Sequence, residues 1–157
     1  MALASEISDP TSMPNHMSAH CAELVRRQLH NGDHVAAIVA EPVQGTAGNI
    51  VPPRDWLPAI AAIAHDHGAL FIADEMITGF GRTGTYWGVG QSGARPDIVT
   101  VGKAFGGGFP VSGLLTTEAI AATRPWSEPS GSSSSYGGNP LAAAATAAAL
   151  RIIDEED

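Results

Sequence analysis

The stretch LFIADEM–ITGFGRTGTYWGVGQSGARPD–IVTVGK, residues 70–103, decides how this chain is read. It holds two short apolar, β-branched runs, 70–73 and 98–101, each the length of a buried strand. Between them, glycines at 79, 81, 84, 88, 90 and 93 leave little of the excursion able to form helix. Both runs end in charge: Asp74 and Glu75 after the first, Lys103 after the second. In an open α/β sheet, ligands bind at the carboxyl ends of parallel strands, so an acid and an amine delivered there together point to a site. Lys103 is the only lysine; the other seven basic residues are arginines. An arginine cannot lose its proton to attack a carbonyl, whereas a desolvated lysine can. The plainer alternative is a strand-end lysine in a glycine loop.

Working outward, residues 35–40 (VAAIVA) read as a strand that runs into Glu41-Pro42-Val43-Gln44-Gly45. Pro52-Pro53 then introduces a helix with Trp56, Leu57, Ile60, Ala61 and Ala64 on one face. It closes at His65-Asp66-His67-Gly68, with imidazoles near the negative helix end and glycine at the C′ position. His-x-His is also a metal-pair spacing, but no further ligands accompany it, which favours the helix-end reading. Strand, helix, strand over 35–73 is one βαβ unit. Residues 111–116 (VSGLLT) predict a fourth strand.

Nearer the start, Cys21, Leu24, Val25 and Leu29 recur at helical spacing, predicting a helix over 17–29 that stops at Asn31-Gly32. Residues 1–16, with two prolines, read as a loosely ordered segment, and 17–157 as one partial domain. Residues 124–131 form a Pro/Ser loop leading into the hydroxyl-rich run 132–138 (SSSSYGG). Asn139-Pro140 caps a last, alanine-rich helix that finishes near Ile153. The acidic tail 154–157 sits at the unfavourable end of that helix's dipole, which hints that the chain continues.

At 157 residues, with 44% hydrophobic content, this is one domain's worth of globular chain. A net charge of −8 argues against nucleic acid or an anionic membrane surface as the main partner. It does not exclude an anionic cofactor, because phosphate sites depend on local amides and hydroxyls. The single cysteine, Cys21, forbids an intrachain disulfide and fits a reducing, cytoplasmic compartment. No apolar run approaches the roughly 20 residues of a membrane span, and the first residues lack the pattern of a signal peptide.

Gly79-Phe80-Gly81-Arg82-Thr83-Gly84 matches the dinucleotide fingerprint G-x-G-x-x-G. That loop must open a helix whose N-terminus holds the pyrophosphate, and the further glycines in 85–93 deny it one. Walker A fails too, since Ala104 follows Gly102-Lys103.

A carboxylate and a lone lysine at adjacent strand ends suit pyridoxal phosphate. The lysine holds the aldehyde as an imine, and the acid keeps the pyridine nitrogen protonated so that the ring can accept electrons. Hydroxyls and amides must then hold the phosphate, and residues 132–138 are rich in both. EPVQG, LFIADEMITGFGRTG, VTVGKAFGGGFPVSG and SSYGGNPLAAAA, in this order, closely resemble the class III (ω-amino) aminotransferases of the fold type I pyridoxal-phosphate enzymes.

The resemblance implies an α/β fold of three layers, the aspartate-aminotransferase-like large domain with its mostly parallel sheet. It further implies that Lys103 carries the internal aldimine and shuttles the proton, that Asp74 pairs with the pyridine nitrogen, and that Met76 packs on one ring face. Ser135 would bind the phosphate of the neighbouring subunit's cofactor in a homodimer with shared active sites. Glu41 opens a family motif near the site, with a structural role preferred. Tyr136 and Asn139 have structural alternatives, as turn packing and helix cap.

Thr46 stands where members acting on 4-aminobutyrate, ornithine or acetylornithine usually carry a glutamate. Ile77 stands, beside the ring, where those members place a glutamine. The pair resembles the amine:pyruvate branch, implying an ω-amine or ω-amino acid donor and a 2-oxo acid acceptor, with pyruvate expected. The 4-aminobutyrate or acetylornithine type remains the alternative, as does another reaction of the same cofactor, such as that of an aminomutase or phospho-lyase. The resemblance covers only the middle of the family's large domain. The upstream phosphate loop, the downstream carboxylate-binding arginine and the small C-terminal domain lie outside it. A truncated, non-catalytic remnant that binds cofactor or a partner subunit is therefore a further reading.

Overall fold

Three of the four strands run parallel in sequence order and the fourth turns back, because a long helical or glycine-rich crossover joins each of the first three and a short one joins the last. The computed structural model describes residues 15–31, 34–131 and 134–156. The order along the sheet is β1 (Ala37–Ala40), β2 (Leu70–Asp74), β3 (Ile98–Val101) and β4 (Gly113–Thr116). β1–β2 and β2–β3 are parallel, and β3–β4 is antiparallel. A sheet that is mostly parallel, with helices packed on it, is the expected partial α/β domain. The segment expected to be loose falls almost wholly in residues 1–14, which lie outside the described residues.

α2 (Trp56–Asp66) packs on β1 and β2, and α1 (Asn15–Asn31) packs on α2. α2 presents Leu57, Ile60 and Ile63, all buried, and side chains of this size contribute about 2 kcal/mol each when removed from water. β2 supplies the other half of this core by alternation: Phe71 and Ala73 are fully buried, while Leu70, Ile72 and Asp74 face the opposite side and are half-buried. From α1, Ala22 is buried against the same cluster, with Val25 and Leu29 packed on it.

α2 starts at Trp56, three residues after the proline pair that introduces it. At its far end the two histidines are both engaged. His65 Nε2 lies 2.9 Å from Asp97 Oδ2, and His67 Nδ1 lies 2.9 Å from the Ile63 carbonyl of its own helix. Asp97 also accepts from Phe71 N at 2.7 Å, so one carboxylate ties the helix end to the sheet just before β3.

On the other side, α4 (Pro140–Glu155) packs on the 3-10 turn Lys103–Gly106 that follows β3. Its small face allows close approach: a Cβ at Gly107, itself at φ +57°, would lie 3.1 Å from Ala149 Cβ. Asn139 caps α4, its Oδ1 accepting from Leu141 N at 2.9 Å and Ala142 N at 3.2 Å. A short helix, α3 (Glu118–Ala121), separates β4 from the loop before α4, with Thr117 as its N-cap. No helix among the described residues is long and apolar enough to cross a membrane.

Candidate active site

The parallel register sets Asp74 directly beside Thr100, three residues before Lys103. Three residues span at most about 10 Å, so the acid and the amine emerge from neighbouring strands at the same edge of the sheet. Asp74 Oδ1 accepts two hydrogen bonds, from Met76 N at 3.0 Å and from the Thr100 hydroxyl at 3.1 Å. No hydrogen bond from the described residues reaches Oδ2. Half of this carboxylate is held by the protein, and half is left over.

Lys103 is exposed and sits at φ +48°, in the left-handed region that a side chain ordinarily avoids. Such a backbone costs about 1–2 kcal/mol and persists only where its surroundings enforce it. Here Phe105 N donates to Gly102 O and Gly107 N to Ala104 O, both at 3.0 Å, closing a tight turn around the lysine. The Phe105 ring also stacks on Phe80, with centroids 5.3 Å apart. Gly102 lies directly under the Met76 side chain: a Cβ there would fall 2.4 Å from Met76 Cε and 2.8 Å from its sulfur, so the thioether would have to shift. The Met76 thioether thus lies across the backbone that leads into Lys103 and bridges the two strand ends.

Glu75, next to Asp74, points the other way and is wholly buried. Its Oε1 accepts from Val89 N at 2.7 Å, and its Oε2 from Gly88 N at 3.1 Å and from the Thr78 hydroxyl. These donors gather the glycine-rich excursion around one carboxylate. A Cβ at Gly88 would lie 2.7 Å from Thr78 Cβ, so the glycine makes the cradle possible. The only helical piece within the excursion is the four-residue 3-10 turn Val89–Ser92. No helix opens at the G-x-G-x-x-G run, and the dinucleotide reading falls. The excursion instead packs through Phe80, Tyr86 and Trp87, mutual ring neighbours at 5.1–5.5 Å. Burial, then the charge of Asp154, pushes the Tyr86 phenol above its ordinary value.

The family model for aminotransferase class-III matches residues 3–157. The chain belongs to this family. Its relatives include an acetylornithine aminotransferase of Methanothermobacter thermautotrophicus, 42% identical over 80% of this chain and 31% of that one. A leucine/methionine racemase of Thermococcus litoralis is 35% identical over 99% of this chain and 38% of its own length. Among solved structures, an amine transaminase from an uncultivated Pseudomonas species, in its pyridoxal-phosphate-bound form, superposes with a TM-score of 0.80 at 37% identity. That match covers 95% of this chain and 34% of the transaminase. The chain spans about a third of the length of the curated relatives it matches. Class III aminotransferases are pyridoxal-phosphate enzymes, and their structures share the fold type I architecture to which this sheet conforms.

Other residues singled out in this class III chain are distributed unevenly. Ile77 packs against the EPVQG loop so closely that a Cβ at Gly45 would lie 2.0 Å from Ile77 Cδ1. Within that loop Glu41 Oε2 accepts from Gly45 N at 3.1 Å, a bond that braces the turn. Thr46 is exposed next to them. Ser135 is exposed on a turn, and Ser132 and Ser133 of the hydroxyl-rich run lie outside the described residues. A cavity of about 1330 Å³ opens between β3, β4, the Lys103 turn and α4; Met76, Thr100, Ser134, Tyr136 and Asn139 are on its wall. Neither Asp74, Lys103 nor Ser135 lines it. Tyr136 stands 84% exposed at its mouth.

Sequence reasoning named Asp74, Met76 and Lys103, which the fold brings to one edge of the sheet. It missed Thr100 and assigned nothing to Glu75. The signal for Thr100 was the register: the third residue of a parallel neighbour strand lies beside the acid that ends β2.

Proposed function

We propose that this chain forms the cofactor-binding core of a pyridoxal-phosphate aminotransferase that moves an amino group from an ω-amine or ω-amino acid to a 2-oxo acid, pyruvate first among them. The observation that carries this reading is the pair of strand ends: a carboxylate with one uncommitted oxygen, beside a lysine held in a left-handed turn, joined by the Met76 thioether over Gly102. Their chemistry suits the two ends of the group's ring, an anion for the N–H and an amine for the aldehyde. The cofactor, when bound, supplies the electron sink for the substrate carbanion.

The protein's part is division of labour. Lys103 Nζ is the amine that binds the aldehyde and afterwards the base that carries the proton at the substrate carbon. Asp74, its Oδ1 held by Met76 N and Thr100, would offer Oδ2 to the ring N–H and, as an anion, would keep that nitrogen protonated. Met76 would cover one face of the ring and keep water from it, with Ile77 beyond it against Gly45. Ser135, with the other hydroxyls of its turn, serves the phosphate of a partner subunit's cofactor in a homodimer. For the donor, Thr46 and Ile77 stand in place of the glutamate and the ring-side glutamine of members acting on 4-aminobutyrate, ornithine or acetylornithine, which favours the amine:pyruvate type. The amine transaminase among the structural neighbours is consistent with this choice, and the acetylornithine aminotransferase stands for the alternative.

Mixing the purified chain with pyridoxal phosphate should give a visible absorption band that borohydride fixes onto Lys103, located by peptide mass. Retention of the band in Lys103→Ala overturns the assignment. A panel of ω-amines, acetylornithine and 4-aminobutyrate, read by loss of that band, then ranks the donors. The exposed setting of Lys103, off the wall of the cavity, favours one second reading, a core that binds cofactor without turnover. A fixed band with no response to any amine would be its signature. Leucine that loses its α-proton to deuterium without losing its amino group would instead favour racemase chemistry, as in the Thermococcus relative.

A further inference from the structure

The geometry points to Thr100 as a positioning residue that fixes which oxygen of Asp74 is offered to the cofactor. The inference rests on Asp74 being the ring-nitrogen partner. A carboxylate has a broad, two-fold torsion about its last bond and left alone presents either oxygen in many orientations. Here two donors converge on Oδ1. Met76 N, two residues along, bonds it locally at 3.0 Å, and the Thr100 hydroxyl bonds it at 3.1 Å across the β2–β3 pair, from 26 residues away. The local bond alone lets the carboxylate swing with its own turn. The second bond references it to β3, the strand whose end carries Lys103.

Thr100 is well suited to this. Its β-branch restricts χ1, it lies inside β3 rather than in a loop, and its register partner is Asp74 itself. Leucine or valine would satisfy the strand equally well, so the hydroxyl has no strand-forming role. With Oδ1 doubly occupied, Oδ2 is the acceptor left for the ring N–H, aimed by the same two bonds. Thr100 thus ties the oriented carboxylate to the strand that leads, through Gly102, into the Lys103 turn.

The test is a double-mutant cycle on the 157-residue chain, read as the dissociation constant for pyridoxal phosphate from absorbance titration, with melting temperature as the folding check. Thr100→Val removes the hydroxyl at constant shape and should weaken cofactor binding about tenfold, near the lower end for a hydrogen bond to a charged group. Thr100→Ser should restore binding to within about twofold, since it returns the donor. Thr116→Val deletes a comparable hydroxyl bond, 3.0 Å to the Asp97 carbonyl on the neighbouring strand pair, and should leave binding unchanged. In an Asp74→Asn background, Thr100→Val should add nothing. Equal weakening by Thr100→Val in both backgrounds overturns the inference, as does a Thr100→Val protein that binds like wild type while Asp74→Asn binds poorly. If Asp74→Asn itself leaves the affinity untouched, the underlying assignment of Asp74 falls, and the inference with it.

Discussion

Asp74 and Glu75 are adjacent carboxylates at the end of one strand, and the fold treats them in opposite ways. Glu75 turns into the glycine-rich excursion, is wholly buried, and receives three donors shared between its two oxygens. Asp74 turns to the half-open face and receives two donors on a single oxygen. A buried acid whose two oxygens both hold bonds from its own chain is part of the scaffold, since neither oxygen is offered to a ligand. An acid with one oxygen filled and one left over is oriented but unspent. Remaining acceptor capacity, more than burial or charge, separates the structural carboxylate from the chemical one.

The sharpest way to break that contrast is to neutralise each acid without changing its size. Glu75→Gln turns an amide N–H₂ towards backbone N–H groups and should cost about 3 kcal/mol of folding stability, measured by urea unfolding. Asp74→Asn keeps an oxygen for Met76 N and Thr100 and should cost under about 1 kcal/mol, while weakening cofactor binding. Equal losses of stability would end the distinction. Gly88→Ala tests the scaffold half from the other side. Its Cβ would crowd Thr78 and the Glu75 carboxylate, and a loss of about 1–3 kcal/mol is expected, read as a lower urea midpoint at unchanged m-value. The smallest effect, with the opposite sign, belongs to the chemical half. Lys103→Gly relieves a left-handed residue and should raise stability by up to about 1 kcal/mol, less what glycine loses in unfolded-chain entropy, while abolishing borohydride-fixed label. A destabilised Lys103→Gly protein would mean that the turn is not strained.

Much of the scaffold was legible because it depends on neighbours in sequence. Apolar runs of strand length marked β1, β2 and β3. Asn139-Pro140 announced α4 with the cap that the structure contains, whereas the alternation that buries Phe71 and Ala73 came only with the structure. The glycine spacing correctly denied a helix to 85–93 beyond one short turn. β4 came out two residues shorter than the apolar pattern suggested, because pairing with β3 starts only at Gly113, opposite Val101.

The site was legible as a set of residue types and motifs, and its wiring was not. Glu75 finds its backbone donors 13 and 14 residues away, Thr100 reaches Asp74 from 26 residues away, and Ile77 meets Gly45 across the sheet edge. None of these pairings has a local period to betray it. The left-handed backbone at Lys103 was equally hidden, since lysine has no preference for that region and only the packed turn imposes it.

The Met76–Gly102 contact means that two positions share one volume. Methionine is unbranched and can thread its sulfur over a bare backbone, where a valine or isoleucine would stop short and leave the space above residue 102 vacant. In this chain the width of the slot beside the lysine is therefore written twice, once in a side chain that is long and once in a side chain that is missing, and a change in either moves the thioether.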